Sequence, residues 1–258
     1  MVYSEAGGVA KTTTAVSIAN TAAIDGRRVV LIDLDPRSAT TKWLQAKPVG
    51  EGYHVGAILG NPDSQGWAVD LAVSVDPKAG WSKNLRVIPS SVDLANVEGE
   101  RADLAEFRLQ GALEDLDADL VVIDCPNRPG GILTMNAAYA SDRVVYAAVA
   151  SDSGLDGVLG ARRTMERFNR VQARRSPEDV VLEAGAVITR DGTGFLSISE
   201  QEASAQIQEQ VSRIGDLVPH LSIVPECRMA GTWYGRYSRG TKVQDAYTQI
   251  MREVVGDE

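Results

Sequence analysis

Residues 4 to 15, SEAGGVAKTTTA, carry the side chains best suited to phosphate chemistry. The strict phosphate-loop pattern is glycine, four residues, glycine, lysine, then serine or threonine. Here Glu5 and Ala10 fill the glycine slots, and Lys11 and Thr12 fit outright. Gly7 and Gly8 let the backbone turn so that successive N–H groups, through Val9 and Ala10, converge on an anion where a helix begins. Lys11 would then meet the outer phosphates, Thr12 would ligate magnesium through its hydroxyl, and Thr13 would hydrogen-bond an inner phosphate. The methyl of Ala10 is tolerable only at negative φ.

Three carboxylates complete this constellation. Asp35 and Asp124 close β-branched runs, where a carboxylate costs stability unless it meets water, a metal or a reacting group. Asp124, ending LVVID, is expected in the outer shell of a magnesium ion, and Asp35 in DLDP is placed to orient a water toward the terminal phosphate. Asp33 either supports the metal shell or caps the strand end.

The elements that must position these groups alternate. A helix starts at the loop, with Ala15, Ile18, Ala19, Ala22 and Ala23 at helical spacing and Gly26 as its stop. Strand-like runs follow at 27–36, 84–91, 118–126, 143–150, 183–190 and 220–226, and helical patterning lies between them, notably at 93–115, 154–175 and 198–215. This order predicts an α/β fold, a doubly wound, mostly parallel sheet with helices on both faces, whose ligands bind beyond the carboxyl ends of the strands. Residues 61–83, rich in Gly, Asp, Pro and Trp, read as an irregular insertion.

A chain of 258 residues fits one domain, 1–258. No apolar run reaches the length of a membrane span, and the N-terminus lacks the pattern of a secretory signal, so a cytoplasmic protein is expected. The net charge of −9 excludes a surface that is basic all over but leaves room for a local basic patch. Cys125 and Cys227 stand apart, without a CxxC pair, which argues against a disulfide framework or a zinc site.

In order along nearly the whole chain, GGVAKTTTAVSIA, RRVVLIDLDPRSATT, NLRVIPSSVDLANVE, DLVVIDCP with LTMNAAYASDRVV, and IVPECRM with AYTQIMREV resemble the ParA family of deviant Walker A P-loop ATPases. The resemblance implies a P-loop NTPase fold with ATP and Mg2+ as cofactors, and a homodimer that forms on ATP binding. It also implies nonspecific DNA binding at the nucleoid and a cargo-bound ParB-like or adaptor protein that stimulates hydrolysis, so that plasmid, chromosome or other cargo is partitioned or positioned. It places the base pocket near Thr189 and Pro225, for both of which an ordinary strand-end role is the alternative.

Three departures from the family stand out. The signature lysine that precedes the two glycines, and reaches across the dimer, is Ala6 here. A cation delivered to a phosphoryl transition state is worth roughly 10³ to 10⁵ in rate. Either another cation replaces it, with Arg128 in CPNRPGG favoured over the pair Arg162 and Arg163, or the chain is an ATP-dependent scaffold or regulator that has lost hydrolysis. Ala10 is the second departure. The third is a short lead-in of Val2, Tyr3 and Ser4, from a short first strand or a late start.

Two basic patches are candidates for DNA. Arg163, Arg167, Arg170 and Arg174 share a helical face within about 60° of arc, and their mutual repulsion would be relieved by DNA phosphates; the alternative is a solvated face partly neutralised by Glu166. Arg236, Arg239 and Lys242 lie beside aromatics in a segment that could equally be a surface loop packed by Trp233 and Tyr237. The tail DAYTQIMREVVGDE spaces Ala246, Ile250 and Val254 as a docking face and ends acidic, unlike the membrane-binding helix of MinD-type relatives, so no membrane partner is expected.

Overall fold

The computed structural model describes residues 1–99, 102–192 and 194–256. Its centre is a seven-stranded sheet of Val2–Tyr3 (β1), Val29–Asp33 (β2), Val73–Ser74 (β3), Leu85–Ile88 (β4), Leu120–Asp124 (β5), Arg143–Val149 (β6) and Leu182–Thr189 (β7), in the order β3-β4-β2-β5-β1-β6-β7. All neighbours pair in parallel except β3 with β4. The central strands β2 and β5, VVLID and LVVID, are aliphatic runs up to their closing aspartates because both of their faces are covered. Val30 and Ile32 pack under one layer of helices, and Val29 and Leu31 under the other, as the two-residue period of a strand dictates.

Helix Lys11–Ile24 lies against the second face, buried nearly all round by its small residues Ala15, Ala19, Ala22 and Ala23. Helix Thr241–Val255 covers it, burying Val243, Tyr247, Ile250 and Met251. The docking face of this last helix is therefore broader than Ala246, Ile250 and Val254, of which Ala246 and Val254 are only partly buried. The acidic pair 257–258 lies outside the described residues. On the first face runs the long helix Asp152–Gln172, started by the Ser151 hydroxyl accepting from the Gly154 N–H.

Several sequence expectations are corrected. The run at 220–226 is not a strand: Ile223–Ala230 is helical. Pro225 sits in its first turn, where a missing N–H leaves no bond unmade. The extended chain instead runs just upstream, where Arg213 and Val218 bridge to Ala186 and Thr189 of β7. Helix Ile198–Gln210 accordingly ends before 215. The stretch 93–115 is broken into Leu94–Val97, Ala105–Phe107 and Arg108–Ala112, with Leu104 in the left-handed region at φ 61°; residues 100 and 101 lie outside the described residues. Residues 61–83 contain a short helix, Ala68–Leu71, and the edge strand β3.

Candidate functional site

The loop between β1 and helix Lys11–Ile24 opens onto a cleft of about 840 Å³ at the carboxyl ends of the strands. Gly7, Gly8, Val9, Ala10, Lys11, Thr12 and Thr13 line it together with Asp35, Thr189 and Pro225. Parts of the chain more than 200 residues apart in sequence thus share one wall system, as a parallel sheet requires of its strand ends.

Gly8 holds φ +76°, which glycine adopts freely. Ala10 holds φ +62°, contrary to the negative φ its methyl was expected to need. The loop keeps the glycine-like turn at that slot and bears a strain of about 1 kcal/mol for it. Glu5, in the other glycine slot, is an anchor. Its N–H donates to Gly157 O of the long helix at 3.2 Å, and its carboxylate accepts from Thr164 Oγ1 at 2.6 Å and Tyr3 OH at 3.1 Å. Gly157 permits this approach, since a Cβ there would lie 2.6 Å from that of Ala6.

Lys11 is buried, and its ammonium donates to Ala6 O at 2.7 Å. Burial pushes its pKa down, opposed by the nearby carboxylates of Asp124 and Asp35. A phosphate ligand would offer this cation a stronger partner than a single carbonyl.

Asp33 and Asp124 are register partners at the ends of β2 and β5, both fully buried. Asp124 Oδ2 accepts from Thr12 Oγ1 at 2.9 Å and Thr40 Oγ1 at 2.7 Å, whereas its Oδ1 is buried with no partner among the described residues. Asp33 is fully employed: Oδ2 accepts from the Thr41 N–H at 2.8 Å and hydroxyl at 2.7 Å, and Oδ1 from the Asp35 N–H at 3.1 Å. These bonds tie Asp33 to the segment that follows its own strand. Burial raises the pKa of both carboxyls; the charge of Asp124 adds to this at Asp33, while the hydroxyls of Thr40 and Thr12 oppose it at Asp124. Asp124 does not itself line the cleft; it is joined to it through the Thr12 hydroxyl, which does, and that arrangement suits a hard, oxygen-seeking cation such as Mg2+ ligated by Thr12 with Asp124 in its outer shell.

Asp35 Oδ1 accepts from the Arg37 N–H at 2.9 Å. In CPNRPGG it is Asn127 that lines the cleft, its amide 3.3 Å from where Gly7 would carry a Cβ. Arg128 is exposed and its guanidinium lies 3.9 Å from the Glu98 carboxylate. Arg162 is likewise engaged, with Glu183 at 2.9 Å and Glu166 at 3.7 Å. Sequence reasoning missed Thr40, Thr41 and Glu5, and also the cleft cations Arg37, Lys42, Arg190 and Arg228.

Comparison with known proteins sets this geometry in context. A family described as an AAA domain matches residues 1–177. The sporulation initiation inhibitor protein Soj of Bacillus subtilis is 30% identical over 265 residues, covering 99% of this chain and 97% of that protein. The chromosome partitioning protein ParA of Caulobacter vibrioides is 30% identical over 264 residues, covering 100% and 93%. The chain belongs to the ParA/Soj/MinD-like family of deviant Walker A P-loop ATPases. Among solved structures, Cyanothece McdA in complex with ATP superposes with a TM-score of 0.83 at 19% identity, covering 100% of this chain and 95% of that one. An AMPPNP-bound putative plasmid partition protein of Borrelia burgdorferi gives a TM-score of 0.77 at 18% identity, covering 98% and 96%. These two likenesses are of fold.

In this ParA-like chain the long helix buries Val158, Ala161, Met165 and Phe168 and leaves Arg163, Arg167 and Arg170 exposed on the opposite side, whereas Arg174, expected on the same helical face, is exposed in the turn beyond the helix end at Gln172. Glu166, the expected neutraliser of that stripe, pairs with Arg162. The second patch is tied down more tightly. Arg236 donates to Lys78 O at 2.8 Å and lies over the Tyr237 ring, and Arg239 pairs with Glu226 at 2.8 Å. Lys242 is exposed. Trp233 and Tyr234 pack this segment, whereas Tyr237 is 40% exposed. Cys125 and Cys227 are free and buried, and burial pushes the Cys125 thiol up to about 12. Among the described residues no helix is long and apolar enough to cross a membrane.

Proposed function

We propose that this chain is a ParA-like ATPase that binds Mg-ATP in the cleft, dimerises on doing so, and binds DNA without sequence preference, in order to partition or position a plasmid, chromosome or other cargo. The observation that carries the reading is the pairing of Thr12 with Asp124, whose second oxygen is buried without a partner beside a lysine-bearing anion loop. A buried carboxylate so placed is stable only with a cation or proton to meet it.

In this mechanism the N–H groups of Gly7 to Ala10 cradle the phosphates and Lys11 leaves Ala6 O to meet them. Thr12 would ligate the magnesium ion and Asp124 would hold its outer shell, and the ion would supply charge neutralisation on the phosphate oxygens. Asp35 orients the attacking water. Thr189 and Pro225 flank the base. Asp33 acts as a brace that fixes Thr41 and the Asp35 backbone.

The Arg163, Arg167, Arg170 and Arg174 stripe is the DNA surface, and Arg236, Arg239 and Lys242 a secondary one. Among the described residues the guanidiniums of the first patch have no hydrogen bond or ion pair, whereas those of Arg236 and Arg239 are held, which supports this ranking. A cytoplasmic, nucleoid-associated protein with a ParB-like or adaptor partner on its cargo follows. The test is retention on nonspecific duplex DNA with Mg-ATP. Affinity should fall steeply with salt. Charge reversal at Arg163, Arg167 and Arg170 together should weaken it by more than tenfold, since each arginine neutralises roughly one phosphate. Unchanged affinity in that variant would sink the helix as the DNA surface.

A further inference from the structure

The cations around the cleft sort by what already holds them. Lys11 is bound to Ala6 O, Lys42 to the Arg37 carbonyl at 2.7 Å, and Arg190 to Glu200 at 3.4 Å. Arg128 and Arg162 are engaged with carboxylates. Arg37 and Arg228 also line the cleft and are exposed, and among the described residues neither guanidinium has a hydrogen bond or ion pair.

Their places differ. Arg228 is carried by helix Ile223–Ala230, together with Pro225. Arg37 lies two residues beyond Asp35 on a turn that is fixed internally. Its own N–H is held by Asp35 Oδ1 at 2.9 Å, and the Ser38 N–H by Asp35 O at 2.8 Å. Ser38 sits at φ 57°, a conformation a non-glycine residue holds only when its surroundings enforce it. The turn therefore fixes the backbone from which the Arg37 side chain reaches into the cleft beside Asp35, the carboxylate proposed to orient the water. Its charge is also near enough to Lys11 to act on that ammonium, against the pull of Asp124 and Asp35.

We propose that Arg37 is the cation that meets the terminal phosphate of the nucleotide from within the same subunit, doing the charge-stabilising work for which position 6 has only a methyl. The inference rests on the nucleotide reading of the cleft. As the oxygen of water bonds to the terminal phosphorus, the bond to the bridging oxygen breaks and its electron pair leaves with ADP. The proton of water ends on the product phosphate. Negative charge builds on the bridging and terminal oxygens during this step, and a guanidinium spans two such oxygens at once. Arg37 is free to do so without first breaking an ion pair.

The test compares affinities for ATPγS and ADP, each with Mg2+, by calorimetric titration of the full chain and its Arg37→Ala, Arg37→Lys, Lys42→Ala and Arg228→Ala variants. A charge-assisted bond to the terminal phosphate predicts that Arg37→Ala binds ATPγS roughly 10- to 100-fold more weakly with ADP affinity kept. Arg37→Lys should recover part of that affinity, and the other two variants should show no such selectivity. Turnover at saturating ATP should fall together with the ATPγS selectivity. The side chain is exposed and bond-free, so folding should survive; Arg37→Gln, checked by circular dichroism, gives a second variant of similar reach. An unchanged ratio of ATPγS to ADP affinity in Arg37→Ala, or a selective weakening in Lys42→Ala or Arg228→Ala instead, overturns the assignment while leaving the nucleotide site intact. A parent protein that binds neither nucleotide overturns both.

Discussion

Asp33 and Asp124 stand side by side at the ends of adjacent strands, equally buried, yet their surroundings assign them different work. Asp33 has a donor on each oxygen and two on one of them, all from the segment that follows its own strand. Asp124 spends one oxygen on two threonines from distant parts of the chain and leaves the other bare. A carboxylate at a strand end thus becomes a candidate ligand only where its donors run out. Sequence position alone does not separate the two.

Substitution should separate them. Asp124→Asn removes charge from the proposed magnesium shell while keeping the shape; it should lower Mg2+ affinity in the presence of ATP by about 10- to 100-fold and, by removing a buried carboxylate whose pKa is raised, raise rather than lower the melting temperature near neutral pH. Asp33→Ala should do the reverse. It strands the Thr41 N–H and hydroxyl and the Asp35 N–H, and should cost about 2–4 kcal/mol of stability, measured by urea unfolding. If Asp33→Ala loses magnesium binding without losing stability, the contrast is broken.

The pH dependence sharpens the same comparison with a smaller effect. Both carboxyls are raised in the folded chain, chiefly by burial, so the folded state holds protons that the unfolded state has released. From about pH 4, the ordinary carboxylate value, their joint contribution to stability falls as pH rises toward the raised folded values, and is constant above them. Melting curves between pH 4 and 8 should show this slope in the parent, less of it in Asp124→Asn, and less again in the parent with Mg2+ and ATP present. The smallest effect belongs to the loop. Ala10→Gly relieves the residue at φ +62° and should add about 1 kcal/mol or less of stability, part of the gain being offset by the greater freedom of glycine in the unfolded chain. A clear drop in stability would show that the Ala10 methyl packs usefully.

How far the site is legible in the sequence depends on the range of its interactions. The anion loop and the ends of β2 and β5 are legible because Gly7, Gly8, Lys11, Thr12 and the aspartates carry their meaning in local spacing. Thr40 is not, since its bond to Asp124 spans 84 positions and nothing local marks it. The stretch 220–226 misleads because seven residues are too few to tell a buried helix from a strand, and Pro225 is as acceptable in a first helical turn as at a strand end. The loop that carries Arg128 is readable, but its absence from the cleft lining is not, because a side chain's direction within a loop follows from tertiary partners, here Glu98. Glu5 looks like a defect in a motif; its three bonds to Gly157, Thr164 and Tyr3 make it the clamp between the loop and the long helix.

The central claim is that this loop and these carboxylates turn over ATP although position 6 lacks a cation. It is tested most directly by measuring phosphate release from Mg-ATP by the parent chain, alone, with duplex DNA, and with its cargo-bound partner. Slow basal release is expected, rising when DNA and partner are added and vanishing when Mg2+ is chelated. Mg-ATP binding with no release under any of these conditions would contradict the claim, and would make the chain an ATP-dependent scaffold.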